Sequence, residues 1–142
     1  MTLVAGGTAV HPVIGRLREA INEHDPDAVT DCFAVDVRIE QPAHPASDFQ
    51  GNAQIRQNWT TVFASVPDLK AELVRSGNDG ITIWSEWHYT GRHADGGPYE
   101  LRGVTIQDIE DDRITKAAVY LGPVDADGAS DGTAIETSTE VD

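Results

Sequence analysis

The sequence predicts an α+β domain, with helices first and an antiparallel sheet after them. Two observations carry this. In the first half, apolar residues recur at helical spacing, at Val13, Ile14, Leu17, Ala20 and Ile21 and again at Ile55, Trp59, Val62, Phe63 and Val66. From Gly80 to Val124, three back-to-back runs rich in β-branched and aromatic residues are separated by Ala94-Asp95-Gly96-Gly97 and Glu110-Asp111-Asp112. That is the pattern of an antiparallel meander.

Taken in order, residues 1–10 are small and weakly patterned and read as a flexible lead-in. The first helix is expected over residues 11–24. Asp25-Pro26-Asp27 restarts the helix, because Asp25 can cap and proline suits a first helical position that needs no amide donor. The second helix covers 26–33, with Val29, Cys32 and Phe33 inward. Residues 35–41 alternate and read as a strand that stops at Pro42. A loop with two prolines follows, and a third helix runs from about Gly51-Asn52 to Ser65. Residues 69–75 form the next strand and Ser76-Gly77-Asn78-Asp79-Gly80 the turn into the meander, whose strands are expected over 81–93, 99–109 and 113–121. Residues 125–142 hold six acids, no bases and almost nothing apolar, so they read as a disordered acidic tail. The domain proper is then 11–124.

Composition bounds the partners. The 142 residues suffice for one domain with its own core. A net charge of −14 argues against nucleic acid and against anionic membranes, both of which repel an acidic chain. No apolar run approaches the ~20 residues of a membrane span. The first residues lack the basic start and the length of a signal peptide, and the single cysteine, Cys32, has no internal disulfide partner, so a cytoplasmic location is expected. Histidines lack HxH or HExxH spacing and there is no cysteine cluster, no GxGxxG, no P-loop and no GxSxG. No metal and no cofactor is therefore expected.

The order of elements, Phe49-Gln50-Gly51 opening the third helix, and Glu86-Trp87 leading through Gly91 and His93 to Arg102-Gly103-Val104 and then Arg113-Ile114-Thr115 and Val119-Tyr120, resemble the SnoaL-like polyketide cyclases of the nuclear transport factor 2-like superfamily. The likeness covers about residues 11–124. It implies a cone-shaped fold, three N-terminal helices on a curved antiparallel sheet enclosing a pocket, often in a homodimer. It does not choose among isomerases, cyclases, epoxide hydrolases and binding domains. The acid of the steroid isomerases falls at Gln41, their helix-one tyrosine at Leu17, and the Arg, Asp and Asp of the limonene-epoxide hydrolases at Glu86, His88 and Gly122. Each familiar constellation is thus missing.

Glu86 and His88 are two residues apart, so they share a strand face with Cα atoms ~6.5 Å apart. Thr82 and Trp84 lie on that face; Ile83, Ser85, Trp87 and Tyr89 lie on the other. The resemblance puts the Glu86 face in the pocket and leaves Ile83, Trp87 and Tyr89 for a dimer interface. The alternative is that Glu86 and His88 face solvent and Trp87 and Tyr89 the core, since a one-residue slip exchanges the faces. In an apolar cavity the pair could perform acid/base work, with Glu40 as a displaced acid or else a strand-edge charge. Gln41, His44, Trp59, Trp84, Arg102 and Tyr120 are the candidate substrate contacts, against ordinary surface or core roles. The expected function is a cofactor-free enzyme performing cyclisation, isomerisation or epoxide opening on an apolar metabolite such as a polyketide or terpenoid. The alternative is a non-catalytic ligand-binding or dimerisation module of the same fold.

Overall fold

His11 opens the first helix: its Nδ1 accepts the Val13 amide at 3.1 Å, and Pro12 occupies a position that needs no donor. A computed structural model describes residues 10–125. The expected lead-in up to residue 9 and the acidic tail from residue 126 lie outside the described residues. Helix α1 (Pro12–Asn22) buries Val13, Ile14, Leu17, Ala20 and Ile21, the stripe its spacing predicts. Asp25 caps α2 (Pro26–Asp31) through the Ala28 amide at 3.1 Å. α2 is shorter than expected because Phe33 already belongs to β1 (Phe33–Glu40). A single 3-10 turn (Pro45–Ser47) and the two-residue β2 (Phe49–Gln50) occupy the proline-rich loop. Helix α3 (Asn52–Ser65) fully buries only Ile55, since part of its apolar stripe faces a cavity described below.

Four strands complete the chain: β3 (Lys70–Asp79), β4 (Thr82–Arg92), β5 (Pro98–Glu110) and β6 (Arg113–Pro123). β3 runs through the residues expected to turn. Gly77 is a strand residue: it sits opposite Trp84, and a side chain there would collide with the indole ring. Its hydrogen makes room for the ring. The β5–β6 turn uses Asp111 and Asp112, both with positive φ (51° and 63°), the left-handed pair that a tight hairpin requires.

The sheet order is β2-β1-β6-β5-β4-β3. The expectation of an all-antiparallel sheet is corrected here: β1 pairs parallel to β6, so the six strands form a mixed, curved sheet. The returning chain reaches β6 from the far side of the meander, and parallel pairing is what that path allows. Asn22 covers the β3 edge, its amide exchanging two hydrogen bonds with the Ala71 backbone at 2.7 and 3.1 Å. His24 stacks on Phe63 with ring centroids 4.9 Å apart and donates from Nε2 to the Leu69 carbonyl at 2.8 Å.

Register divides the sheet into two unlike faces. Ile83, Ser85, Trp87 and Tyr89 of β4 are buried towards the helices. Thr82, Trp84, Glu86, His88 and Thr90 project from the outer face. By register that face carries six cations (Arg38, Lys70, Arg75, Arg92, Arg102 and Lys116) and six carboxylates (Glu40, Glu72, Asp79, Glu86, Glu100 and Asp108), with Glu110 and Arg113 paired opposite each other at its end. It is neutral in a chain of net charge −14.

Candidate functional site

Between the inner sheet face and the helices lies a cavity of about 250 Å³. Leu17 and Ile21 of α1 and Ile55, Trp59 and Val62 of α3 form its helical wall. Trp87 and Tyr89 of β4, Leu101 of β5 and Ala117, Val119 and Leu121 of β6 form its sheet wall. Gln41 and Phe49 flank the loop that follows β1. Trp59, Trp87 and Tyr89 pack as one aromatic group, with Trp59 edge-on to Tyr89 at 6.1 Å and Trp87 tilted against Tyr89 at 5.7 Å.

Polar groups in this wall are few and neutral: Gln41, Asn58, Thr105, Gln107 and the phenols of Tyr89 and Tyr99. None of the described residues lining the cavity is an acid, a histidine, a lysine or an arginine. Burial pushes the Tyr89 phenol well above its ordinary pKa of 10.0, with a smaller contribution from Tyr99. Burial alone raises Tyr99. Both phenols are therefore neutral donors at any ordinary pH. The Trp87 indole N–H donates to Thr105 Oγ1 at 3.1 Å, and the Gln107 amide nitrogen donates to Ser85 Oγ and to the Ile83 carbonyl, both at 2.9 Å.

Of the residues singled out from sequence, Gln41 and Trp59 line the cavity. The expected placement of Glu86 and His88 is corrected. They project from the outer face, and the sheet separates them from the cavity. The reason is register: burying Trp87 and Tyr89 removes far more apolar surface from water than burying Trp84 would. Glu86 there accepts from Arg75 Nε at 2.6 Å and has Arg102 at 3.8 Å. His88 lies 2.6 Å from Glu100 and 3.6 Å from Glu72. Arg102 is on the same outer face, as are Trp84 and Tyr120, both partly solvent-exposed. Glu40 also points outward, between Arg38 at 3.5 Å and Lys116 at 3.9 Å. His44 is exposed in the loop and is not part of the cavity wall. Ile83, Trp87 and Tyr89, assigned above to a dimer interface, are buried inside.

Sequence reasoning missed Thr105 and Gln107. On β5 the alternation is inverted: Val104 and Ile106 face outward, while Thr105 and Gln107 face the helices. A residue-by-residue hydrophobic reading therefore points the strand the wrong way. The available signal was the pairing with β4, where Ser85 stands opposite Thr105.

No group of three His, Cys, Asp or Glu among the described residues is arranged to hold a metal ion. No described helix is long and apolar enough to cross a membrane.

The model of the SnoaL-like domain family matches residues 14–117. The chain belongs to the SnoaL-like domain family. Its fold recurs in solved structures of low identity. One is a hypothetical protein of ketosteroid isomerase-like fold from Catenulispora acidiphila, in complex with trimethylamine (18% identity over 79% of this chain and 86% of that one, TM-score 0.69). Another is an epoxide hydrolase from M. tuberculosis resembling limonene-epoxide hydrolase (17% identity, 78% and 80% coverage, TM-score 0.66). A third is a candidate polyketide cyclase from Sinorhizobium meliloti (23% identity, 78% and 95% coverage, TM-score 0.63). Among curated proteins, none matches the chain. These likenesses show the nuclear transport factor 2-like fold of this SnoaL-like domain and no particular chemistry.

Proposed function

We propose that this SnoaL-like domain binds a neutral, largely apolar small molecule in the cavity between helices and sheet. The observation that carries the reading is the wall itself: aliphatic and aromatic side chains, a few neutral hydrogen-bonding groups and, among the described residues, no charge. Such a site rewards apolar surface and penalises an ionised ligand, whose charge would lose its water with nothing to pair it. Proton transfer by Glu86 and His88 receives no support from this geometry, because neither reaches the cavity. Calorimetric titration with uncharged bicyclic aromatics and terpenoids tests the proposal. Saturable binding that Ala117→Trp abolishes by filling the cavity is expected. A panel in which no compound binds would overturn it.

A second reading is favoured by the two phenols. In a cofactor-free cyclisation, isomerisation or epoxide opening, Tyr89 or Tyr99, held protonated by burial, would donate a hydrogen bond to a ligand oxygen as negative charge develops there. Turnover of an epoxide or polyketide that Tyr89→Phe abolishes, with binding retained, would select this reading over simple binding.

We infer in addition that a second copy of the chain covers the outer sheet face. Trp84, Ile106 and Tyr120 are 40%, 40% and 48% exposed there, side by side on adjacent strands. The face is also the neutral part of an acidic molecule, the surface through which two copies approach with least repulsion.

A further inference from the structure

Gln107 is 2% exposed, and both hydrogens of its amide nitrogen are engaged, one by the Ile83 carbonyl and one by Ser85 Oγ. A carbonyl only accepts, so the nitrogen must lie on that side, and Oε1 is turned away from it. No donor among the described residues reaches Oε1. Two residues along the same strand face, Thr105 Oγ1 accepts the Trp87 indole N–H, while its own proton has no acceptor among the described residues. Among the described residues, every fully enclosed side-chain nitrogen and oxygen has a partner. Gln107 Oε1 has none, so it opens on to free space, and Gln107 and Thr105 both line the cavity.

One group thus offers only a lone pair and its neighbour offers a proton. Their Cα atoms are ~6.5 Å apart by strand rise, a span that one ligand atom between the two side chains can bridge. Tyr89 stands four residues along β4 from Ser85, roughly 13 Å away by the same rise, too far to share that atom.

We propose that the cavity recognises a hydroxyl group on an otherwise apolar ligand, the O–H donating to Gln107 Oε1 and the oxygen accepting from the Thr105 hydroxyl. An ether or ketone of the same shape accepts but cannot donate. It would set its own lone pair against Oε1 and leave that buried acceptor unsatisfied. A hydrocarbon would leave both groups unsatisfied. The inference rests on the ligand-binding reading above and narrows it to alcohols and phenols.

Calorimetric titration of the wild-type protein with 2-naphthol and with naphthalene separates the two claims. A cavity indifferent to the hydroxyl prefers naphthalene, because the O–H must shed its water. Recognition is expected to make 2-naphthol about tenfold tighter, the equivalent of one or two buried hydrogen bonds. Gln107→Met, which keeps the volume and removes the acceptor together with the amide that donates to Ile83 and Ser85, is expected to erase that preference while naphthalene still binds; retained naphthalene binding also reports that the variant is folded. Thr105→Val serves the same purpose should Gln107→Met not fold. If naphthalene binds at least as tightly as 2-naphthol, or a folded variant keeps the preference, hydroxyl recognition falls and the apolar cavity stands. If neither compound binds, the cavity reading falls and takes this inference with it.

Discussion

The indole N–H of Trp87 donates to the Thr105 hydroxyl at 3.1 Å, and this bond joins two strands on the inner face of the sheet. Trp87 is 1% exposed, so its N–H needs a partner inside. Trp87→Phe removes the donor and part of the ring volume. A loss of about 1–2 kcal/mol in urea unfolding is expected from the bond and the void together. Unchanged stability would show that the bond contributes nothing to the sheet.

Glu86 and His88 give the opposite expectation. Their partners are partly exposed charges on the outer face, where ion pairs are worth about 0–1 kcal/mol. Glu86→Gln and His88→Ala should each change stability by no more than that and leave ligand affinity within about twofold. A tenfold loss of cavity binding at unchanged stability would tie the pair to the site after all.

Alkali should unfold the protein through its buried phenols. Burial raises the Tyr89 and Tyr99 pKa above the ordinary value of 10.0, so above pH 10 the unfolded chain loses these protons before the folded one does. The unfolded state then binds fewer protons, and stability falls as pH rises. The contribution is complete below pH 10 and is lost progressively above it. Urea midpoints at pH 9 and pH 11 should show this decline, and Tyr89→Phe should reduce it. A variant with the same decline as wild type would assign it to other groups.

Gly103 is the position least able to accept a side chain. Its φ is 154°, and a Cβ would run into the Tyr120 carbonyl on β6. The obstacle is backbone and cannot rotate away. Gly103→Ala should cost roughly 2–3 kcal/mol and lower the melting temperature accordingly. A melting curve like that of wild type would mean that β5 and β6 separate there without penalty.

The outer face makes the oligomer testable. Trp84→Glu with Ile106→Lys places charge in the exposed apolar strip without touching the buried core. Sedimentation should show wild-type dimers at micromolar concentration and monomers for the double variant, with ligand binding unchanged. A monomeric wild type would remove the second copy.

Much of the fold was legible in the sequence because local rules act over a few residues. The α1 stripe, the Asp25 cap and the turns of the meander each follow from spacing or backbone chemistry. The candidate site was legible only in Gln41 and Trp59. Alternation along β4 sorted its residues correctly into two sets, Glu86 with His88 and Trp87 with Tyr89, but alternation is symmetric: it cannot say which set faces inward. β5 deepened the ambiguity by turning Thr105 and Gln107 inward and Val104 and Ile106 outward. The parallel pairing of β1 with β6 joins residues far apart in the chain and leaves no mark in either strand. What the sequence determined by itself was element order and the membership of each strand face. Only tertiary structure decided which face encloses the cavity, because that choice depends on the total apolar surface buried when all six strands and the helices pack together.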